Sequence, residues 1–410
     1  MTKIADAKLA DKGKLNFEWA KSHMGALTTL AAKYSKGKPL EGVKLGVCLH
    51  VTKETSVLID ALLNAGADVK LSGANPLSTQ DDIAAYLSTR TDVWAWRGES
   101  GKEYDWCIDQ VLAAKPNQLV DDGADLNVAA ITSKAKGIDG GSEETTTGVV
   151  RLKALEADGM LTYPMIAVNN AQTKYLFDNR YGTGQSTMDG ILRATALLIA
   201  GKRAVVIGYG WVGKGIAMRA RGMGARVTVV EVDPIKAIEA HLDGFEVSNI
   251  DDAAKEGDLF VAATGQKNVV PYEAVQKMKQ GAILANAGHF DVEIDVKTLT
   301  AKAKSVREVR PNVDEMKLPN GKSIYLVGKG RIANLVAAEG HPPEVMQMSF
   351  ANQFMAALYV RKNHAKMEWK VIAVPEEIDR EVARAALDSL GITIGEATKE
   401  QLDYAKSWSG

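Results

Sequence analysis

The 410-residue sequence has only two cysteines, Cys48 and Cys107, and no long apolar run. Two cysteines cannot form a disulfide framework or a multi-cysteine zinc site, and no metal is predicted. A membrane helix needs about 18 apolar residues in succession, and no stretch of this chain approaches that length. The N-terminal residues also lack the apolar core of a secretory signal. We therefore expect a cytoplasmic protein that does not associate with membranes.

An excess of charge of either sign is absent as well. Lys and Arg total 50 and Asp and Glu total 51, which gives a net charge of −1 at pH 7. This balance argues against a nucleic-acid-binding protein, which would carry a strongly basic surface. Hydrophobic residues at 46% and charged residues at 25% are typical of a globular protein. The length suggests about two or three domains.

Short β-branched runs alternate with helical patterns along most of the chain. Residues 43–51 and 68–72 are predicted strands that lead into helices, and a second series of strands begins at 204–207. This alternation indicates βαβ units and parallel sheets. Residues 136–148 interrupt it and are predicted to be a loop, either solvated or ligand-binding. The predicted class is α/β, with two doubly wound, Rossmann-like parallel-sheet domains and a small C-terminal helical tail.

A glycine-rich motif lies between a predicted strand and a predicted helix. Its G-x-G-x-x-G spacing is formed by Gly208, Gly210 and Gly213, and Val212 within it is also predicted to contact the cofactor. The first glycine permits a tight turn, the second lets the backbone approach a pyrophosphate, and the third lets helix and strand pack closely. Glu231 ends the next predicted strand, where a carboxylate can bind the adenosine ribose and would repel the extra phosphate of NADP. The predicted cofactor is NAD.

Two further residues, Thr264 and Gly265, follow the fourth strand of this series and are predicted to lie near the nicotinamide. The alternative is a purely structural role, because small residues are common at the strand ends of any doubly wound sheet.

Three histidines follow predicted strands or glycine turns. His50 follows the strand at 43–49, His289 follows a strand near 282–285, and His341 precedes a proline. Because ligands of open α/β sheets bind at the carboxyl ends of strands, we expect the three to converge on one crevice. A single histidine in such a place is structural about as often as functional. The hypothesis therefore depends on their occurring together.

Carboxylates and hydroxyls occupy similar positions, in numbers typical of polyol recognition. They are Thr52, Glu54, Asp122, Glu144, Thr145, Thr146 and Thr147. Lys174, Asp178 and Asn179 are spaced so that one helical face can carry all three. For each acid pair alone, a helix cap or a solvated turn is the alternative interpretation.

Eight segments together resemble the S-adenosylhomocysteine hydrolase family. In order, they are LHVTKET (49–55), NPLSTQD (75–81), DDGADL (121–126), SEETTTG (142–148), TKYLFDNRYG (173–182), GYGWVGKG (208–215), NAGHFDVEID (286–295) and GRIANLVAAEGHP (330–342). The resemblance runs from about residue 15 to the end of the chain. It is nearest to the shorter branch of that family, which occurs in archaea and some thermophiles.

The resemblance implies an enzyme that reversibly hydrolyses a small nucleoside thioether, S-adenosyl-L-homocysteine, to adenosine and L-homocysteine. In that family the ribose 3′-hydroxyl is transiently oxidised with tightly bound NAD, and the resulting ketone acidifies the C4′ proton. A base removes that proton, homocysteine leaves from C5′, water adds, and the ketone is reduced again. A homotetramer is also expected.

The matching motifs imply a role for each candidate catalytic residue. Lys174 with Asp178 would handle the 3′-hydroxyl proton, and burial beside the nicotinium is expected to lower the pKa of Lys174 enough for it to act as a base. Asp122 would be the base at C4′. His50, aided by His289, would be the acid and base at C5′.

The same motifs imply binding roles for other residues. Glu144 would hold the ribose hydroxyls, and Thr52, Glu54 and His341 would surround the adenine. A carboxylate at position 54 favours adenine, because it accepts a hydrogen bond from a 6-amino group and would repel a 6-oxo group. Contacts with NAD are implied for Thr145, Thr146, Thr147, Asn179, Asn286 and Asn334.

The chain departs from the family pattern in three places. Thr183 stands where many members have cysteine, and Glu339 stands where animal members have methionine. The usual tail, in which a lysine and a tyrosine reach a neighbour's NAD site, is missing. Two alternatives therefore stay open: an S-inosylhomocysteine hydrolase, and an NAD-dependent dehydrogenase that releases reduced cofactor. A non-catalytic NAD-binding regulator is disfavoured because all the candidate catalytic residues are present.

The predicted domains follow from these assignments. Residues 1–183, completed by 342–370, would bind substrate, and residues 184–341 would form the NAD-binding Rossmann domain. Residues 371–410 would form a C-terminal tail used in oligomer contacts.

Overall fold

The computed structural model describes residues 2–408, and it contains two large sheets with helices on both faces of each. The strands of the first sheet are β1 (Lys44–Leu49), β2 (Asp68–Gly73), β3 (Asp92–Trp94), β4 (Gln118–Asp121), β5 (Gly140–Glu143) and β6 (Met165–Ala167). Those of the second are β7 (Arg203–Ile207), β8 (Arg226–Val230), β9 (Glu246–Ser248), β10 (Leu259–Ala262), β11 (Ile283–Asn286), β12 (Ser305–Arg310), β13 (Val313–Lys317) and β14 (Ser323–Val327). A last strand, β15 (Val371–Ala373), returns to the first sheet.

The helices alternate with the strands. They are α1 (Ala10–Ser22), α2 (Gly25–Tyr34), α3 (Lys53–Asn64), α4 (Asp81–Ser88), α5 (Gly101–Ala113), α6 (Asp125–Thr132), α7 (Thr146–Ala157), α8 (Gln172–Lys174), α9 (Thr183–Thr195), α10 (Trp211–Gly222), α11 (Pro234–Leu242), α12 (Ile250–Glu256), α13 (Tyr272–Lys277), α14 (Val296–Lys302), α15 (Ala333–Val336), α16 (Pro343–Asn363), α17 (Glu376–Ser389) and α18 (Lys399–Tyr404). A π-helical segment, Tyr175–Gly182, joins α8 to α9. Within residues 2–408, no helix is both long and apolar enough to cross a bilayer.

Both sheets have the parallel order that the alternating pattern predicts. In the first sheet the order is β15-β6-β5-β4-β1-β2-β3, with every neighbouring pair parallel. In the second it is β12-β13-β14-β11-β10-β7-β8-β9, parallel except for the antiparallel β12-β13-β14 edge. A hairpin with Asn320-Gly321 at its turn joins β13 to β14, and Gly321 has the positive φ of 90° that such a turn uses. The predicted α/β class is confirmed.

The segment 136–148 is not the loop that its composition predicts. Residues Gly140–Glu143 form β5, which pairs with β4 on one side and β6 on the other. The glycines are there because space is lacking: a Cβ on Gly141 would lie 2.3 Å from the Leu119 carbonyl oxygen. A strand held by close backbone packing has none of the β-branched residues on which the prediction relied.

Residues 371–410 were predicted to form a helical tail, and α17 and α18 are the helices of this segment. However, β15 extends the first sheet, and the buried Val382 of α17 belongs to the same hydrophobic core as Leu58 of α3 and Phe354 of α16. The chain thus returns to the first sheet after the second is complete. Only the part after α17 is exposed throughout its described length.

Candidate active site

A cavity of about 340 Å³ lies where the carboxyl ends of the strands of the two sheets face each other. Eighteen of the predicted site residues line it: His50, Thr52, Glu54, Asp122, Glu144, Thr145, Thr146, Thr147, Lys174, Asp178, Asn179, Gly210, Val212, Thr264, Gly265, His289, Asn334 and His341. Four others, Gly208, Gly213, Glu231 and Asn286, do not line it. The structure therefore brings together residues that are far apart in the sequence, as the strand-end argument predicts.

Asp122 lies between two imidazole rings. Its Oδ2 is 3.6 Å from His50 Nε2, and its Oδ1 is 3.6 Å from His289 Nδ1. The second nitrogen of His50, Nδ1, lies 2.7 Å from the Ser78 hydroxyl, which fixes the ring. His289 stacks so closely on the turn after β4 that a Cβ on Gly123 would lie 2.4 Å from its Nε2. This trio can pass protons between neighbouring groups. The three ligand atoms also lie within 4.8 Å of one another, a spacing that a divalent ion can bridge.

Lys174 forms the centre of a second buried cluster. Its Nζ donates to Asn179 Oδ1 at 2.7 Å and lies 3.4 Å from Asp178 Oδ2 and 3.7 Å from Glu144 Oε1. The π-helical turn that follows Lys174 explains the spacing, because its i→i+5 hydrogen-bond pattern brings residues five apart to the same side. Lysine, carboxylates and amide thus share one wall of the cavity.

The protein groups of this site do not by themselves lower the pKa of Lys174, and the effect expected from the nicotinium stays a prediction. Burial does lower the pKa of Lys174, but the charges of Asp178, Glu144 and Asp122 together outweigh it, so the net shift is upward. For Glu144 the effect of burial is larger than that of the neighbouring charge. Burial raises the pKa of Glu144 to about 8, although the charge of Lys174 opposes this. Lys174 therefore rests as an ammonium ion, and any base role requires that it first give up a proton.

His50 is the group whose pKa shift bears most directly on pH dependence. Burial is the largest cause and lowers the pKa of His50 to about 4, although the Asp122 carboxylate opposes this. In the unfolded chain an imidazole takes up its proton near pH 6.5. Between pH 6.5 and 4 the unfolded state therefore binds more protons, and the folded state loses stability as the pH falls through that window.

We predict that His50→Gln will remove part of this acid sensitivity. From the two pKa values, the wild-type free energy of unfolding should fall by about 2 kcal/mol more than that of the variant between pH 7.5 and pH 5. Equilibrium denaturant unfolding at the two pH values measures the difference. His241→Gln, at an exposed position on α11, serves as the control and should behave as the wild type does. Equal losses in wild type and His50→Gln would contradict the prediction.

The glycine motif has the geometry of a dinucleotide site. Gly208 has a φ of 99°, and a Cβ on Gly213 would lie 1.9 Å from the Gly208 carbonyl oxygen, so a side chain is excluded at both positions. Open space surrounds Gly210, where a phosphate has to approach. Glu231 follows β8 and accepts from the backbone N–H of Tyr209 at 2.7 Å, which places its carboxylate beside the turn.

A buried, unpaired acceptor on the other side of the cavity also fits the cofactor. Asn334 is 1% exposed, and its Nδ2 donates to Ser186 Oγ, but its Oδ1 accepts from no group within residues 2–408. An acceptor of this kind matches the N–H groups of a nicotinamide carboxamide. When bound, NAD supplies the oxidising equivalent that a carbinol needs in order to become a ketone.

Comparison with known proteins assigns the chain to a family along almost its whole length. Residues 1–136 match the model of the S-adenosyl-L-homocysteine hydrolase family, and residues 179–340 match the model of that family's NAD-binding domain. An adenosylhomocysteinase of Sulfurisphaera tokodaii is 56% identical over 99% of this chain and 98% of its own length. The chain belongs to the S-adenosyl-L-homocysteine hydrolase family.

Other relatives in the family carry two different names. The Saccharolobus solfataricus relative, also 56% identical over 99% of this chain and 98% of its own length, is an adenosylhomocysteinase. A Methanocaldococcus jannaschii relative, 50% identical over all of this chain and 99% of its own, is an S-inosyl-L-homocysteine hydrolase. Sequence identity along the whole chain therefore does not distinguish an adenosyl from an inosyl substrate, and individual residues have to decide between the two purines.

Two of the family positions predicted to contact ligands are engaged with the protein itself. His341 lies 3.0 Å from Asp178 Oδ1 through Nδ1 and 3.1 Å from the Thr183 hydroxyl through Nε2. Asn286 is fully buried, donates to the carbonyls of Gly288, Phe290 and Gly330, and accepts from Gly288 N. Asn286 thus fixes the turn that carries His289, and its predicted nicotinamide contact remains a prediction.

The groups that hold the Asp178 and Glu144 carboxylates were not predicted from the sequence. On α16, Ser349 donates to Asp178 Oδ2 at 2.7 Å, and Gln353 Nε2 donates to Glu144 Oε2 at 2.6 Å. A signal existed, because these two polar residues are four apart in the sequence and so lie on one face of a helix. Glu293 was also missed: it accepts from the Thr264 N–H and hydroxyl and from Gly265 N.

Proposed function

We propose that the protein reversibly hydrolyses S-adenosyl-L-homocysteine to adenosine and L-homocysteine, with NAD as a bound cofactor that is regenerated in each turnover. The observation that carries this proposal is the single cavity that holds both Lys174 with its carboxylates and the Asp122 trio. An ordinary dehydrogenase needs a group for the hydroxyl proton, but it has no use for a second acid-base set beside it.

The Lys174 cluster would act on the ribose 3′-hydroxyl. Glu144, held by Gln353, presents a carboxylate to the ribose diol. Lys174 first donates a hydrogen bond to the hydroxyl oxygen. It then passes one of its protons to the carboxylate network, and the neutral amine accepts the hydroxyl proton as the ketone forms. Asp178 keeps Lys174 close by charge, and the Lys174 and His341 charges hold the pKa of Asp178 below its usual range despite burial.

The Asp122 trio would carry out the elimination and the addition of water. Asp122 removes the C4′ proton, which the 3′-ketone has acidified, and the C5′–sulfur bond breaks. A neutral His50 can receive that proton across the 3.6 Å that separates it from Asp122 and donate it to the leaving homocysteine sulfur. His50 then takes a proton from water as the water oxygen adds to C5′, and this proton passes through Asp122 to C4′. Reduction of the ketone then gives adenosine. One water molecule is consumed in each turnover.

The first test of the proposed function is product release. Purified protein incubated with S-adenosyl-L-homocysteine should release homocysteine, measured with a thiol reagent, without a steady rise in absorbance at 340 nm. A rise that continues with turnover, in the absence of thiol, would instead identify the alternative, an NAD-dependent dehydrogenase. Absence of both signals would refute the proposed function.

We also propose the finer assignments that the resemblance implies. The chain would act in the methyl cycle of the cytoplasm as a homotetramer, with hinges near Thr183 and Gly340 between the two domains. Exposed apolar side chains on and before α11 support subunit contacts: Val232, Ile235 and Leu242 are 96%, 77% and 79% exposed. Sedimentation equilibrium measures the assembly, and a mass equal to the 44.0 kDa of one chain would contradict it.

A further inference from the structure

Two neighbouring strands of the first sheet each end in a pair of acids. Strand β4 ends with Asp121, which Asp122 follows, and strand β5 ends with Glu143, which Glu144 follows. The parallel register pairs Asp121 with Glu143, and both are 0% exposed. The second acid of each pair lines the cavity, whereas the first does not. Each strand end thus carries one acid for the cavity and one for the protein interior.

The Glu143 carboxylate binds the turn that follows Asp122. Its Oε1 accepts from Gly123 N at 2.9 Å, and its Oε2 accepts from Ala124 N at 3.0 Å. Gly123 and Ala124 have φ values of 105° and 64°, and a turn of this kind can present successive N–H groups to one anion. An alanine in the left-handed region is strained and persists only where its surroundings hold it. Glu143 supplies that hold.

The same carboxylate also binds the next segment of the cavity wall. Glu143 Oε1 accepts a second hydrogen bond, from Thr145 N at 2.9 Å. In the other direction, Glu144 N donates to the backbone carbonyl of Asp121 at 2.9 Å. The Glu143 side chain therefore fixes the position of the turn after Asp122 relative to the segment that carries Glu144.

The surroundings of Glu143 suit a carboxylate that is held in one place. All three partners are N–H donors, and none of them could accept the proton of a neutral carboxyl group. Burial raises the pKa of Glu143, as do the charges of Asp121 and Asp122, and the backbone N–H groups oppose this shift. On α7, Gly148 leaves room for the side chain, because a Cβ there would lie 2.1 Å from Glu143 Cδ. The N–H groups thus offset part of the cost of burying the charge.

We propose that Glu143 is a positioning residue that sets the spacing between the two acid-base sets of the cavity. This inference rests on the proposed function, in which Lys174 and Glu144 act at C3′ and Asp122 removes the proton from C4′. The two sets act on adjacent carbons of one ribose, so their relative position has little freedom. A misplacement of about 1 Å can lower a rate by about 10²-fold.

Glu143→Gln should separate the two steps. The amide has nearly the same shape, and its oxygen can stay with the two donors that Oε1 has, Gly123 N and Thr145 N. Its NH2 group then faces Ala124 N, from which it cannot accept. The turn after Asp122 should shift, and the elimination should slow by about 10- to 100-fold. Oxidation at C3′ should stay close to its wild-type rate.

The experiment follows both steps in single turnovers of NAD-loaded protein. Absorbance at 340 nm reports the oxidation, and a thiol reagent reports the release of homocysteine. In Glu143→Gln the 340 nm signal should rise as in wild type and then persist, while thiol appears slowly. The amplitude of the 340 nm signal counts the folded, loaded sites, so a partial loss of folded protein does not imitate this result.

A second variant displaces the Glu143 carboxylate without changing its chemistry. Gly148→Ala places a methyl group against Glu143 Cδ and should push the oxygens away from their N–H partners, with the same separation of the two rates. Two controls match these changes. Glu377→Gln lies at an exposed position of α17, and Gly101→Ala lies at the start of α5 with open space around it. Both should behave as the wild type does.

The outcomes distinguish this proposal from the proposed function. If the wild type releases no thiol, the proposed function fails. If the wild type does release thiol but Glu143→Gln keeps both rates, the role of Glu143 is refuted. Equal losses of both rates would also refute it, because the residue would then stabilise the fold without setting the spacing. Should Glu143→Gln fail to retain NAD, Gly148→Ala decides by the same criteria.

Discussion

Lys174→Met should lower kcat for thioether hydrolysis by about 10³-fold, within the range that loss of a positioned acid-base group produces. Methionine matches the length of the lysine stem but has no ammonium. Two carboxylates, Glu144 and Asp178, then lie near each other without the charge that holds them together. The variant should therefore fail at the first chemical step, oxidation of the 3′-hydroxyl.

The measurement for Lys174→Met is a single-turnover experiment on NAD-loaded protein. Thiol release should be almost lost, and no absorbance at 340 nm should appear when substrate is added, because nothing removes the hydroxyl proton. Lys153→Met, at an exposed position of α7, is the matched control and should keep both signals. A Lys174→Met variant that shows the 340 nm signal of wild type would contradict the role.

A buried methionine beside two carboxylates also disturbs the fold, so binding has to be measured separately. Removing one partner of a buried ion pair costs about 3–5 kcal/mol if the other charge remains. Here the carboxyl groups can take up protons instead, and Glu144 is already disposed to do so because burial raises its pKa to about 8. We therefore expect Lys174→Met to fold and to retain NAD.

The sequence predicted those parts of the site that depend on strand ends and on short local motifs. Gly208 and Gly213 were predicted correctly as positions that exclude side chains, because a strand, a tight turn and a helix in succession leave little choice of geometry. The convergence of His50, Asp122 and His289 followed from a general property of parallel sheets. Such arguments need only the order of the elements along the chain.

Features that depend on distant partners could not be predicted in this way. The direction of the Lys174 pKa shift follows from three carboxylates that only the folded structure brings together. Gln353, which holds Glu144, lies on α16, beyond the whole second sheet. Strand β5 was missed because its glycines reflect the nearness of the Leu119 backbone, a property of the neighbouring strand.

Asp122→Asn should stop the reaction at a later step than Lys174→Met does, after the 3′-ketone has formed. The amide has nearly the volume of the carboxylate and can still contact His50 and His289, but it cannot accept the C4′ proton. In the proposed mechanism, oxidation at C3′ uses the Lys174 cluster, which the change leaves intact. We therefore expect the variant to form the 3′-ketone and then stop, with thiol release lowered by about 10²- to 10⁴-fold.

The expected signature of Asp122→Asn is a burst without turnover. Adding substrate to NAD-loaded protein should raise the absorbance at 340 nm by about one equivalent per active site, and this signal should persist while thiol release stays low. Asp158→Asn, at an exposed position after α7, should behave as the wild type does. Thiol release near the wild-type rate would mean that another group removes the C4′ proton. Loss of the burst would mean that Asp122 acts in the oxidation, and the two acid-base sets would then not be separate.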